Sequence, residues 1–225
     1  LASMRFRDIS FLAPSRQFLL YPRHETNGWV LVRDPVRTRE APRVLGAPAA
    51  EAPYEWELTP DSEYLAVSDR QQVTVGTVND WARARAYPLT TASPTLQWSP
   101  GGERLAFQTK LLLYVMSRDN GEPRLVADFC APRFWGWRGE RLLFGHAQSS
   151  LANMFAVEPG GGPAEPLVTA PHWQAAPVAN AVSPDGQRIA CLVQQFDGNG
   201  VAHWELWVAP LAKAAKWEMI FSWRS

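Results

Sequence analysis

The feature that most limits what this 225-residue chain can fold into is one turn used five times. An apolar run, Pro, a short turn and a second apolar run recur in FLAPSRQFLLY at 11–21, ELTPDSEYLAV at 57–67, QWSPGGERLAF at 97–107 and AVSPDGQRIAC at 181–191. A fifth copy, FWGWRGERLLF at 134–144, keeps the two runs and carries Trp137 where the others have Pro. Pro presets one dihedral and Gly accepts positive φ at no steric cost, so Ser-Pro-Asp-Gly between apolar runs encodes a β-hairpin. Aligned on Pro14, Pro60, Pro100, Trp137 and Pro184, the copies step by 46, 40, 37 and 47 residues.

Steps of this size are too long for a solenoid turn of roughly 20–30 residues and match a four-stranded antiparallel unit. A third apolar run follows each hairpin: GWVLV at 28–32, QVTVGTV at 72–78, LLLYVM at 111–116, NMFAV at 153–157 and HWELWVA at 203–209. A weaker fourth run follows in PRVLG at 42–46, PRLVAD at 123–128, EPLVTA at 165–170 and KWEMIFSW at 216–223. With these strands lettered a to d, the expected fold is all-β: a β-propeller of about five four-stranded antiparallel blades, with a six-bladed or partial ring as the alternative. The blades fall at roughly 4–46, 47–91, 92–128, 129–170 and 171–225 of a single propeller domain, and residues 1–3 ahead of Met4 read as a cloning remnant. The 19 Pro, 15 Gly and 11 Trp suit a chain of many turns and aromatic packing.

Charge removes one class of partner. Twenty-two basic and 22 acidic side chains give a formal net charge of 0, so nothing favours a phosphate backbone, and no nucleic acid is expected. No apolar run approaches the ~18–20 residues that would span a bilayer. The start from Met4 lacks a sustained apolar segment and a small-residue cleavage site and is read as cytoplasmic, although a chain trimmed of a signal peptide reads the same way. Cys130 and Cys191 do not make a disulfide framework, and Cys191 sits where a small buried hydrophobe fits.

The shared pattern, W-S-P-D-G-x-x-L-A-F followed by an LYVM-type and a PLVT-type strand, resembles the WD40-like repeats of TolB-type β-propellers. Similar propellers accompany dipeptidyl-peptidase and prolyl-oligopeptidase relatives. The resemblance is strongest over 96–116 and 181–209 and covers nearly all of 9–223. It implies fold rather than role, because such propellers serve as protein-binding scaffolds, substrate-gating lids or ligand platforms. It also implies six blades, where five are counted here.

Within this frame Asp61 and Asp185 are expected to accept N–H bonds inside their own turns, and Trp98 and Trp135 to fill an inter-blade packing position held elsewhere by Leu12, Leu58 and Val182. Recognition is expected on the face carrying the b–c and d–a loops, which are longer and more irregular than the repeated turns. His24, His146, His172 and His203 fall in or beside that face, in no HxH or HxxxH pairing, so no metal is expected. The expected partner-binding residues are His172, Trp173, Phe196 and Asp197, neighbours at one rim, and the expected partner is a protein or peptide. No cofactor and no catalytic residue is assigned, since no GxSxG elbow appears. The alternative is a small-ligand or carbohydrate site, or a glycoside-processing one, at the channel mouth. Its candidates are Asp8, Glu55 and Asn180, with Glu57, Gln97 and Arg133 also on a strands. A propeller domain of a larger peptidase-like protein is the third reading.

Overall fold

The computed structural model describes residues 11–12, 17–36, 38–49, 55–69, 71–89, 95–119, 121–128, 130–146, 154–168, 179–183, 185–213 and 215–224. Among them, strands run in chain order as β1 (Phe11–Leu12), β2 (Phe18–Glu25), β3 (Gly28–Pro35) and β4 (Arg43–Ala49), then β5 (Glu55–Leu58), β6 (Tyr64–Ser68), β7 (Gln72–Thr77) and β8 (Arg85–Pro88). The third set is β9 (Thr95–Trp98), β10 (Arg104–Thr109), β11 (Leu112–Ser117) and β12 (Arg124–Ala127); the fourth is β13 (Cys130–Arg138), β14 (Arg141–His146), β15 (Met154–Val157) and β16 (Glu165–Val168). The last is β17 (Ala179–Val182), β18 (Arg188–Phe196), β19 (Ala202–Pro210) and β20 (Glu218–Arg224). Each set of four forms its own antiparallel sheet in sequence order. The fold is a β-propeller of five four-stranded blades, each an up-and-down meander.

The repeated turn explains the hairpins. In blades 2, 3 and 5 the residue before the Pro position closes the same loop twice. Thr59, Ser99 and Ser183 accept a backbone bond at 2.8 Å from Ser62, Gly102 and Gly186, and their own N–H groups reach back to Tyr64, Arg104 and Arg188. Their hydroxyls accept the N–H of those same residues at 3.0, 3.1 and 2.9 Å. The residue closing the turn has positive φ, +73° at Gly102 and +67° at Gly186, and Ser62 adopts +63° without being glycine. Asp61 and Asp185 each accept the N–H two residues ahead at 2.9 Å and the hydroxyl two residues behind. These carboxylates are part of the turn.

By contact the chain divides into two compact units, Leu1–Thr109 with Met116–Pro123, and Lys110–Val115 with Arg124–Ser225. In the first, Phe18, Leu20, Leu45, Leu58 and Leu65 form a buried core with Trp56, Val67 and Trp81 packed against it. A 3₁₀ turn, Trp81–Arg83, precedes β8 and lies over two glycines. A Cβ on Gly46, at φ +77°, would come within 2.9 Å of the Trp81 indole nitrogen, and one on Gly76 within 2.6 Å of the Ala84 Cβ. Strand β8 has no counterpart among the fourth runs anticipated above, because Arg85-Ala86-Tyr87-Pro88 is too polar to show as an apolar run. In the second unit, Leu143, Met154, Ala156, Ile189, Cys191 and Val193 form the core between blades 4 and 5. Burial pushes the Cys130 thiol up to about 12 and raises that of Cys191 as well.

Candidate functional site

Blade 5 carries the longest hairpin of the second unit. β18 and β19 pair over nine residues each, from Arg188↔Pro210 to Phe196↔Ala202. Alternation sets its faces: Ile189, Cys191 and Val193 turn into the core, and period-2 geometry puts Ala190, Leu192 and Gln194 on the other side. The loop beyond is tightly ordered. Gly200, at φ +76°, donates to the Asp197 carbonyl at 2.9 Å, and the Asp197 N–H reaches the Val201 carbonyl at 3.0 Å. Asp197 Oδ1 accepts the N–H groups of both Asn199 and Val201 at 2.9 Å. The bond from Val201, then that from Asn199, holds the Asp197 carboxyl below the usual range. On this frame Phe196 and Val201 stand out of the surface, 45% and 46% exposed.

Behind the tip lies a polar chain. His203 Nε2 is 3.0 Å from Glu205 Oε1, and the Trp207 indole N–H donates to Glu205 Oε2 at 2.8 Å. His24 belongs to blade 1, where its ring meets Trp29 edge-on at 5.1 Å. His146 ends β14, its side chain outside the described residues, and His172 lies outside them altogether, as does Trp173. Among the described residues no three His, Cys, Asp or Glu side chains converge on a point that could hold a metal ion.

Of the channel-mouth residues, Asp8 lies outside the described residues, and Asn180 and Arg133 are described by backbone alone, in β17 and β13. Glu55 lies in β5 opposite Ser68, whose hydroxyl donates to its carbonyl at 3.4 Å. Among the described channel candidates, the Glu55 charge acts on the Glu57 carboxyl, two residues along the same strand. Burial, opposed by a bond from the Trp98 N–H and reinforced by the Glu55 charge, pushes the Glu57 carboxyl up to about 8. That N–H donates to Glu57 Oε2 at 2.6 Å, and the Trp98 indole N–H donates to the Glu57 carbonyl at 3.0 Å. The two contacts join β5 of blade 2 to β9 of blade 3. Trp98 is 4% and Leu58 6% exposed at the shared packing position, whereas the side chains of Leu12 and Trp135 lie outside the described residues.

No protein-family model matches this sequence, and no curated protein matches it. Solved structures do. A putative TolB from Agrobacterium tumefaciens superposes with a TM-score of 0.60 at 14% identity, over 96% of this chain and 81% of that one. An oligogalacturonate lyase in complex with manganese gives 0.69 at 11% identity, over 98% of this chain and 66% of that one. The N-terminal domain of Nup159 gives 0.62 at 8%, over 95% and 61%. The chain therefore spans about two thirds or less of the latter two structures. Sheets, turns and superpositions together define a blade-repeat β-propeller. Its fold is of the TolB type. At these identities the likeness concerns fold alone.

Proposed function

We propose that this propeller is a recognition platform that holds a protein or peptide partner on its b–c and d–a loop face, with blade 5 as the contact. The observation that carries this reading is the pair of apolar side chains, Phe196 and Val201, exposed at the tip of a rigid nine-residue hairpin. Exposed aromatic groups on an ordered loop give contact area at low conformational cost, the usual anatomy of an interaction hot spot. Asp197 contributes by ordering the loop that presents Phe196. β17 begins at Ala179, opposite Leu192, toward the end of the sheet where β18 reaches Phe196. His172 and Trp173, expected at the same rim, lie outside the described residues. A non-catalytic role is supported by Glu57, whose carboxyl is engaged in joining two blades. Nup159, a propeller of similar fold, occurs in a structure with dbp5 bound to it, so the fold is compatible with protein partners.

Selection of a displayed peptide library on the whole folded chain tests the proposal. Enriched peptides are expected to slow amide exchange at 196–202 and to lose binding to the Phe196→Ser/Val201→Ser variant. Peptides that bind this variant as well as the parent, or no enrichment over the denatured chain, refute it.

A further inference from the structure

Register matches equivalent positions between blades. The pairs Ala66↔Val75 in blade 2, Leu143↔Ala156 in blade 4 and Ala190↔Val208 in blade 5 stand at one place in the b–c ladder and on one face of the sheet. β12, β16 and β20 also carry the same β-bulge, at Val126, Leu167 and Ile220. In blades 2 to 4 these positions are covered: Ala66, Val75, Leu143 and Ala156 are buried, and so are Val126 and Leu167. In blade 5 they are not. Ala190, Leu206 and Val208 are part-exposed, and Ile220 and the Phe221 that follows it are 53% and 58% exposed. Trp204 and Trp223, a cross-strand pair on this outer face of blade 5, stack at 6.4 Å. Contiguous apolar surface of this kind marks an interaction site.

The molecule shows what such a face meets. Leu143, Ala156 and Leu167 of blade 4 share a core with Ile189, Cys191 and Val193 of blade 5, which alternate with Ala190 and Leu192 and so lie on the other, inner face of that sheet. Between blades 1 and 2 the same rule holds: Leu20, at the position of Leu143 in the repeated turn, shares a core with Leu65, at the position of Ile189. Both junctions join unlike faces, so the outer face of blade 5 is matched by the inner face of another blade and not by a copy of itself. A lone peptide strand covers an edge or a stripe, whereas packed sheets meet over whole faces about 10 Å apart. Of the two charges in β20, register puts Glu218 on this face and Arg224 on the other, which leaves a highly charged partner little to pair with. We propose that the outer face of blade 5 is one half of an inter-blade junction, and that its partner is a further four-stranded antiparallel blade presenting an apolar face of the kind that Ile189, Cys191 and Val193 give to blade 4.

Lengthening the whole chain by a second copy of residues 129–170 after Ser225 supplies such a blade as a probe. β13 then follows β20 at the spacing at which it follows β12, and the added blade presents Leu142 and Phe144, at the positions of Ile189 and Cys191. The readout is the thiol introduced by Ile220→Cys, since Cys130 and Cys191 are buried. Its reaction with a water-soluble thiol reagent is expected to be fast in the parent and to slow roughly tenfold or more in the lengthened chain. The same extension with Leu142→Lys and Phe144→Lys in the added blade is expected to leave it fast. Circular dichroism checks that the extension folds, and a second extension, residues 171–225 repeated after Ser225, takes its place if it does not. Sedimentation of the parent is expected to show a monomer. A folded extension that leaves the thiol unshielded, equal shielding by the Lys-bearing blade, or two extensions that both stay unfolded would overturn the proposal. So would a parent dimer that Phe221→Lys abolishes, which would assign this face to a second copy.

Discussion

Glu57 offers the sharpest test of the packing between blades 2 and 3. Its carboxyl is raised from an ordinary value of 4.5 to about 8 by burial. The folded chain therefore keeps a proton that the unfolded chain releases near 4.5, so this group's contribution to stability is full below about 4.5 and is lost as pH rises to about 8. At about 1.4 kcal/mol for each pH unit, the loss across that window is on the order of 5 kcal/mol. Glu57→Gln keeps an oxygen to accept the Trp98 N–H and removes the ionisation. Urea unfolding followed by circular dichroism at a series of pH values from 4.5 to 9 supplies the measurement, and subtracting the variant from the parent cancels the titrating groups that do not interact with Glu57. The difference is expected to be small at the acid end and to grow in favour of the Gln variant until about pH 8. A difference that does not change with pH would show that the Glu57 carboxyl is hydrated in the folded chain.

Trp98→Ala removes the packing and the indole bond to Glu57 together; urea unfolding is expected to register a loss of ~3–5 kcal/mol. Gly76→Ala places a methyl 2.6 Å from the Ala84 Cβ and 2.9 Å from its Cα, backbone that cannot swing away, so a loss of about 1–3 kcal/mol and a lower melting temperature are expected. Asp197→Ala leaves two loop N–H groups without their acceptor; amide exchange at Asn199 and Val201 is expected to quicken while the global unfolding midpoint moves little.

The blades were legible because turn chemistry and strand alternation are local. Pro60, Pro100 and Gly102 announce hairpins whatever surrounds them, and apolar runs such as 72–78 need no neighbour to be recognised. β8 was not legible, since it is held by pairing with β7 and by the Trp81 turn rather than by any apolarity of its own. Of the candidate site, the exposed tip at Phe196 could be read from an irregular loop between two long apolar runs. The engagement of Glu57 could not. An acid on an a strand looks the same in sequence whether water or the Trp98 backbone meets it, and the 41 residues between them hide the contact.

The meander order of the sheets bears on how such a chain tolerates change. Among the described residues the ladders of the named strands each lie within one blade, formed by strands adjacent in sequence, and a single bridge, Val168↔Ala215, joins blade 4 to blade 5. Residues inserted between strands therefore lengthen a loop without altering the strand ladders of any other blade. That independence accounts for spacings that vary from 37 to 47 residues while the turn bond of Ser62, Gly102 and Gly186 stays at 2.8 Å. New surface can be added to one blade at little cost to the rest. The nine-residue hairpin of blade 5 is an elaboration of this kind, grown outward from a scaffold whose repeating part it leaves unchanged.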